Sequence, residues 1–508
     1  MSHPSRINVL FVASEAEPLI KVGGLGDVAG SLPRSLRAIG RSSDNSTTDL
    51  DIRLVIPFHP GIHSDMYPSR QIAEYTVHSI YAEILVKAFA MDLDGLPVYL
   101  ISGASIDQES GVYSANLEID GYKYVFFSQA ALDLARRLDW QPDILHANDW
   151  HTSAAVYSLA LNRPMDTFFR HTASILTIHN LPYLGAMTSP ALEAFELPPA
   201  ENTSLPAWAN HMALPLGLLT ADSIVAVSPG YAKEIMTEEF GSGLHAFLRA
   251  HSNKLTGILN GLDIQKWDPT TDIELAVNYS PADLQNRPAN KSFLQHELGL
   301  DIDPNIPLLA MVTRMDPQKG VDLSVDALRS LFETASSDSS PMQAVFLGTG
   351  DPVLEQAVRH LAREYPDRVC AKITYNERLS RRIYAGADIL LMPSRYEPCG
   401  LSQMIAMRYG CVPVAHATGG LSDTIQDPAH THQGTGFLFK HAASEALMDA
   451  IQRAVKEYMH NPKDWQSMQI RGMQQDFSWD RSAMEYLKQY KNLLENRIDH
   501  KMVAGKYV

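Results

Sequence analysis

Ile7-Asn8-Val9-Leu10-Phe11-Val12-Ala13-Ser14, followed by Lys21-Val22-Gly23-Gly24-Leu25-Gly26-Asp27-Val28-Ala29-Gly30, is the stretch on which the fold turns. The first run is apolar and rich in β-branched and aromatic residues, as suits the first strand of a parallel sheet with both faces covered. Past the glycines, residues 28–36 space their apolar side chains as a helix does, leaving Ser31 and Arg34 for solvent. The glycines therefore occupy a strand-to-helix turn at the carboxyl end of strand one. Open α/β sheets bind ligands there, because helix N-termini and bare backbone N–H groups converge. Gly23 and Gly24 admit positive φ and let backbone approach a ligand with no Cβ in the way. Lys21 adds a mobile cation at the mouth of the turn, and Asp27 a carboxylate. Many glycine turns merely cap helices, so this one needs a partner.

The partner is His416-Ala417-Thr418-Gly419-Gly420-Leu421-Ser422-Asp423, which follows the apolar run Cys411-Val412-Pro413-Val414-Ala415 and repeats the Gly-Gly-Leu-x-Asp spacing. One such turn in each half predicts two doubly wound α/β domains facing each other across a ligand cleft. Length agrees: 508 residues exceed a usual domain of roughly 100–200 residues.

Charge narrows the partners. With 42 Lys and Arg against 58 Asp and Glu, the net charge is −16, which disfavours nonspecific binding to nucleic acid or an acidic membrane. A neutral polymer or a small molecule fits better. Cys370, Cys399 and Cys411 have no paired short spacing, so neither a disulfide framework nor a zinc site is expected. No acidic cluster demands a metal. No apolar run nears the roughly 18 residues of a membrane span, and Met1 runs almost directly into the first strand. A cytoplasmic location is the expectation.

Along the chain, residues 41–48 read as a surface loop. Strands are expected at 51–57, 96–102, 143–147, 173–178, 222–228 and 255–259, with a loop at 103–121 before a helix over 124–138. Three of these strands end on polar residues, at Asn148-Asp149-Trp150-His151, His179-Asn180 and Ser228-Pro229-Gly230, and 255–259 runs into the turn Asn260-Gly261-Leu262-Asp263. The Pro- and Asn-rich passage 267–290 reads as the interdomain connection. A second set of strands, at 307–313, 344–347, 389–392 and 412–415, alternates with helices and predicts a second parallel sheet. The domains are expected at 1–255 and 256–479, with the last helix, over 480–508, joining the first.

The densest chemistry lies at two strand ends of the second half. Thr313-Arg314-Met315-Asp316-Pro317-Gln318-Lys319-Gly320 brings two cations to a helix start, an arrangement suited to a diphosphate. Pro393-Ser394-Arg395-Tyr396-Glu397-Pro398-Cys399-Gly400-Leu401-Ser402-Gln403 sets a carboxylate just before a glycine-containing helix start. Each alone matches many solvated loops. The combination does not.

With these residues in view, the chain resembles the bacterial glycogen synthase and plant-type starch synthase family. The shared motifs are Lys21 to Val28, Asn148-Asp149-Trp150-His151, Thr177-Ile178-His179-Asn180-Leu181, Ile258-Leu259-Asn260-Gly261, Arg314 to Gly320, Glu397 to Gln403 and Thr418-Gly419-Gly420-Leu421. They run in family order over nearly the whole chain.

The resemblance implies the GT-B fold of two Rossmann-like domains and retaining transfer of glucose from ADP-glucose to the 4-hydroxyl of an α-1,4-glucan, without metal or cofactor. It places Arg314 and Lys319 on the donor diphosphate, with Lys21 and the backbone of Gly23, Gly24, Leu401 and Ser402 completing the cradle beside Cys399 and Gly400. Glu397 stands by the donor glucose, the turn Thr418-Gly419-Gly420 holds its hydroxyls, and Tyr375 stacks on the adenine. His179 and Asp149 line the sugar site, while Asp27, Asn180, Tyr183 and Asn260 serve the acceptor. Front-face displacement is implied, the leaving phosphate helping to deprotonate the acceptor, with domain closure uniting Lys21 and Arg314.

Three positions depart from the family pattern. Pro215-Leu216-Gly217 stands near a usual Lys-Gly-Gly, Leu184 replaces a Gln after Tyr183, and Ile405 stands where many relatives carry a second Glu. Two competing readings follow: a same-fold enzyme with another acceptor, such as glucose 1-phosphate giving maltose 1-phosphate, and a catalytically silent glucan-binding scaffold. The presence of Lys21, Arg314, Lys319 and Glu397 weighs against the scaffold.

Overall fold

The computed structural model describes residues 6–42, 49–63, 65–108, 111–334 and 342–504. The chain divides into unit 1, Met1–Gly261 with Trp479–Val508, and unit 2, Leu262–Ser478.

Unit 1 is built on a nine-stranded sheet: β1 (Arg6–Val12), β2 (Asp49–Pro57), β3 (Arg70–Ser79), β4 (Ala82–Leu93), β5 (Leu96–Gly103), β6 (Ile144–Asn148), β7 (Ala173–Ile178), β8 (Ser223–Ala226) and β9 (Leu255–Gly257), in the order β3-β4-β5-β2-β1-β6-β7-β8-β9. From β5 to β9 neighbours run parallel; β3 and β4 are antiparallel additions at one edge. The direction of winding reverses between β1 and β6, so their carboxyl ends part and leave a crevice position. β6 and β7 are buried along their whole length, as strands covered on both faces must be.

Helix α1 (Gly24–Ser42) buries Val28, Ala29, Leu32 and Leu36 in a core that also takes Trp479, Ala483, Tyr486, Leu487 and Tyr490 from the last helix, Trp479–Ala504. The last helix is therefore an integral part of unit 1. Gly261 explains the close entry: a Cβ there would lie 2.6 Å from the Cα of Trp479.

Unit 2 carries a wholly parallel sheet of β10 (Leu308–Val312), β11 (Gln343–Gly348), β12 (Val369–Ile373), β13 (Ile389–Met392), β14 (Val412–His416) and β15 (Phe437–Phe439), in the order β12-β11-β10-β13-β14-β15. That is the doubly wound 3-2-1-4-5-6 order, with its reversal between β10 and β13. Both units are thus Rossmann-like, as the two glycine turns predict.

Several expectations need correction. α1 begins at Gly24, four residues before the expected start, so the second glycine of the turn already belongs to the helix. Arg41 and Ser42 close that helix; the remainder of the expected 41–48 loop lies outside the described residues. The stretch 103–121 holds a short helix, Ala104–Asp107, and the start of Leu117–Arg137, which Asn116 caps by accepting from the Glu118 N–H. The passage 267–290 is no free connection. Asp272, buried, pairs with Arg381 at 3.0 Å and accepts from the Tyr409 hydroxyl at 2.6 Å, which fastens the passage into unit 2.

Candidate active site

In unit 2 the loop after β10 and the loop after β13 meet. Gly320, at φ +66°, closes the first loop against the second: a Cβ there would lie 2.2 Å from the Pro393 carbonyl oxygen. Asp316 caps the turn by accepting from the Lys319 N–H at 3.2 Å. The Arg395 N–H donates to the Gln318 carbonyl at 2.8 Å, and the Arg395 guanidinium pairs with Asp322 at 2.6 Å. The loops are thus latched by backbone and side chain together.

The latch brings the Lys319 ammonium to 2.9 and 2.7 Å from the two Glu397 carboxylate oxygens, and the Ser394 hydroxyl donates to one of them at 2.9 Å. Glu397 is only 6 % exposed. Burying a carboxylate without partners is costly, so the lysine and serine are what permit it there. Its backbone carbonyl accepts from the Gly420 N–H at 3.1 Å, which ties in the turn after β14. That turn approaches closely because Gly420 lacks a Cβ; one there would lie 2.1 Å from the Cys399 carbonyl oxygen. Gln403 donates to the carbonyls of Cys399 and Gly400, both at 3.0 Å, and holds Gly400 at φ +74° just before the helix Ser402–Arg408. Lys319, Glu397, Cys399, Gly400, Leu401, Ser402, Thr418, Gly419 and Gly420 are therefore parts of one cluster.

Arg314 and Tyr375 stand outside that bonding among the described residues. The Arg314 guanidinium, 60 % exposed, pairs with Asp316 at 3.3 Å on the same loop. The Tyr375 ring is exposed in the loop between β12 and the helix Glu377–Gly386.

In unit 1 a second cluster forms at the ends of β6 and β7. Asp149, buried and at φ +56°, accepts from the N–H groups of His179 at 2.7 Å and Asn180 at 3.3 Å. The amide nitrogen of Asn148 donates to the Val12 carbonyl at 2.9 Å, so its oxygen is the acceptor facing His179 Nε2 at 3.0 Å. His179 Nε2 then carries the proton, and Nδ1 is the acceptor. Burial holds this ring neutral, its pKa lowered to about 3, and raises Asp149 to about 7 against the pull of its two N–H donors. Among the described residues, Asn180 and Asn260 each leave a buried side-chain oxygen with no hydrogen-bond partner, whereas buried polar atoms in folded proteins are usually paired. Tyr183 is exposed nearby in sequence, its N–H bonded to the Asn180 carbonyl at 3.2 Å.

The glycine turn is held differently from the expectation. Lys21 is not a mobile cation: its ammonium pairs with Asp27 at 2.6 Å and lies 3.7 Å from Glu17. Asp27, expected at the acceptor, is engaged by that lysine, and burial raises its pKa to about 7. The Gly23 N–H donates to Glu15, at 3.3 and 3.2 Å from the two carboxylate oxygens. Glu15 is not among the sequence-derived candidates, and neither are Ser394 and Gln403. The signal for Glu15 is its place directly after strand one, where a buried polar side chain has a ligand-facing turn as its neighbour.

Residues 8–250 match the family described as starch synthase catalytic domain, and residues 298–469 the family described as glycosyl transferases group 1. The glycogen synthase of Anaeromyxobacter sp. (strain Fw109-5) is 40% identical over 497 residues, covering 96% of this chain and 99% of that one. The chain belongs to the glycogen and starch synthase family. The Thermotoga maritima (strain ATCC 43589 / DSM 3109 / JCM 10099 / NBRC 100826 / MSB8) glycogen synthase is 39% identical over 96% of this chain and 99% of its own. Among solved structures, the catalytic domain of starch synthase IV from Arabidopsis thaliana, bound to ADP and acarbose, superposes with a TM-score of 0.85 at 30% identity, covering 96% of this chain and 99% of that one. As a member of the family the protein is a glycosyltransferase of GT-B fold.

Proposed function

We propose that this family member transfers glucose from ADP-glucose to the non-reducing 4-hydroxyl of an α-1,4-glucan with retention at the anomeric carbon. The observation that carries the reading is the buried Lys319–Glu397–Ser394 cluster at the winding reversal of unit 2. Such a reversal is where doubly wound sheets bind nucleotides. ADP and acarbose, bound by the Arabidopsis relative, are a nucleoside diphosphate and a glucan-like oligosaccharide.

In the reaction the bond between the anomeric carbon and the donor phosphate oxygen breaks, and a bond from that carbon to the acceptor O4 forms on the same face. The acceptor proton passes to the departing phosphate. Negative charge grows on the β-phosphate, and Lys319 and Arg314 offset it, with Lys21 and the backbone at Gly24, Leu401 and Ser402 as further donors. Positive charge grows on the sugar ring, which the Glu397 carboxylate stabilises. Thr418, Gly419 and Gly420 hold the sugar, and Tyr375 takes the adenine. Asp149 and His179 serve the glucose, and the unpartnered oxygens of Asn180 and Asn260 are natural acceptors for glucan hydroxyls.

ADP release from ADP-glucose and from UDP-glucose, with and without glycogen, tests the reading. The expected result is glycogen-dependent release with ADP-glucose and lengthening of α-1,4 chains. Release that needs glucose 1-phosphate and yields maltose 1-phosphate would establish the other acceptor, and glucan binding with no release would establish a silent scaffold.

A further inference from the structure

Among the described residues of unit 1, Glu15 is the most deeply buried carboxylate that the reaction above does not use, at 1 % exposed. It accepts from the N–H groups of Val22 and Gly23 and from the Tyr113 hydroxyl, the last at 3.0 Å. The turn is packed around it. A Cβ on Gly26 would lie 3.3 Å from a Glu15 oxygen and 2.9 Å from Lys21 Cγ. The Glu17 N–H donates to the Gly26 carbonyl at 3.0 Å, which ties the two sides of the turn together.

Tyr113 is itself held from below. Lys123, fully buried in the helix Leu117–Arg137, pairs with Asp120 at 2.7 Å and donates to the Val112 carbonyl at 2.7 Å. The Tyr124 hydroxyl donates to the same carbonyl, and Asp120 accepts from the Ser114 N–H at 2.9 Å. A buried lysine–aspartate pair is a costly way to fix a loop whose only task is to cover a core. The side chain it presents, between Val112 and Ser114, is Tyr113. A carboxylate is likewise a costly cap for two backbone N–H groups that a serine or asparagine side chain could satisfy.

We propose that Glu15 is the positioning residue that fixes the Lys21-Val22-Gly23-Gly24 turn in its donor-binding shape, with Tyr113 and the buried Lys123–Asp120 pair as its support. The proposal rests on the donor reading given above. Because Glu15 already occupies the Val22 and Gly23 N–H groups, the turn offers a diphosphate Lys21 and the start of α1 at Gly24; Glu15 fixes the backbone that carries them, while Asp27 and Glu17 hold the Lys21 ammonium.

The test uses the full chain with Glu15→Gln and Tyr113→Phe, the second of which keeps the ring against His151 and removes one hydroxyl. Hydrogen exchange over residues 14–26 is measured beside steady-state kinetics. Exchange at Val22 and Gly23 is expected to quicken at least tenfold in Glu15→Gln and by less in Tyr113→Phe, while β1 keeps its protection. The KM for ADP-glucose is expected to rise about tenfold in Glu15→Gln, with the KM for glycogen and kcat changing far less. A merely structural role would lower the melting temperature without that split. Unchanged exchange in both variants overturns the proposal, and so does faster exchange with an unmoved KM for ADP-glucose. If the unaltered protein releases no ADP, the donor reading and the donor half of this proposal fall together, and the exchange measurement alone then upholds or refutes the clamp.

Discussion

Lys319 and Arg314 read alike in the sequence, as two cations on one loop, yet they are held in different ways. Lys319 compensates a buried carboxylate, and Arg314 faces solvent beside Asp316. Removing either is expected to lower kcat by about 10²–10³, the usual effect of deleting one charge-stabilising group. Only Lys319→Ala should also lower the urea midpoint, by a few kcal/mol in stability, because Glu397 is left buried without its cation. Equal stability in the two variants would show that the ion pair does not govern the loop. Asp149 gives a test by pH. Its native carboxyl holds a proton up to about pH 7, whereas the unfolded one releases it near 3.8. Between those values the native state binds more protons, so this group's contribution to stability is present below the window and is lost as pH rises through it. Asp149→Asn keeps an acceptor oxygen for the His179 N–H and has no proton to lose. The stability of the variant relative to the unaltered protein should therefore rise between pH 4 and 8, by up to roughly 1.4 kcal/mol per unit. Parallel melting curves across that range would contradict it. The sequence marked Asp149 and His179 only through motif resemblance, since the positive φ and the N–H groups aimed at Asp149 are properties of the assembled strand ends.

At the scale of elements, the strands facing both helical layers were legible because burial on two faces writes a continuous apolar run, as in Ala173–Ile178. The β3–β4 hairpin left no such mark. Its strands are exposed along much of their length, so their apolar residues are sparse and the pattern is shared with loops. The early start of α1 was hidden for a related reason, since Gly24 and Gly26 are poor helix formers, and the close approach of Lys21 and Glu15 that demands a glycine at position 26 exists only in the folded turn. The last helix shows a polar network the sequence does not announce. His146 of β6, fully buried, hydrogen-bonds the Tyr490 hydroxyl at 2.7 Å through Nδ1 and Thr177 of β7 at 2.9 Å through Nε2. Tyr490→Phe keeps the ring and leaves one imidazole nitrogen without a partner, a loss of about 1–3 kcal/mol. Urea denaturation should show a lower midpoint at an unchanged slope. A midpoint within error of the unaltered protein would mean that the hydroxyl does not contribute to docking this helix on the sheet.

For the whole molecule the decisive fact is that the chain enters unit 2 at Leu262 and leaves it at Ser478, so one unit is continuous and the other is not. That each unit carries a doubly wound parallel sheet was legible from strand–helix alternation, but the strand order and the ownership of 267–290 were not. Its polar residues read as a linker until Arg381 and Tyr409 are found on Asp272. Unit 2, with its own core, is expected to fold as the isolated segment 262–478. Unit 1 without 479–508 would lose Trp479, Tyr486, Leu487 and Tyr490 from its core. At roughly 1.5–3 kcal/mol for each such side chain, that loss rivals a whole-domain stability of about 5–15 kcal/mol. The segment 1–261 should therefore melt without cooperativity, and rejoining 479–508 through a short linker should restore a sharp transition. The rejoined unit 1 should also carry the acid sensitivity. Burial lowers His59 to about 4 and His146 and His179 to about 3, and all three lie in unit 1. Each is neutral when native and gains a proton on unfolding below about 6.5, so the stability it contributes is complete above that pH and is lost as pH falls towards 3. Asp149 and Asp27 work in the opposite sense over part of the window, but burial also holds the His151 ring well below its usual value, so four imidazoles stand against two strongly raised carboxyls. The urea midpoint of rejoined unit 1 should accordingly fall between pH 6.5 and 4.5 by more than that of the 262–478 segment, and equal falls would place the acid-sensitive groups elsewhere.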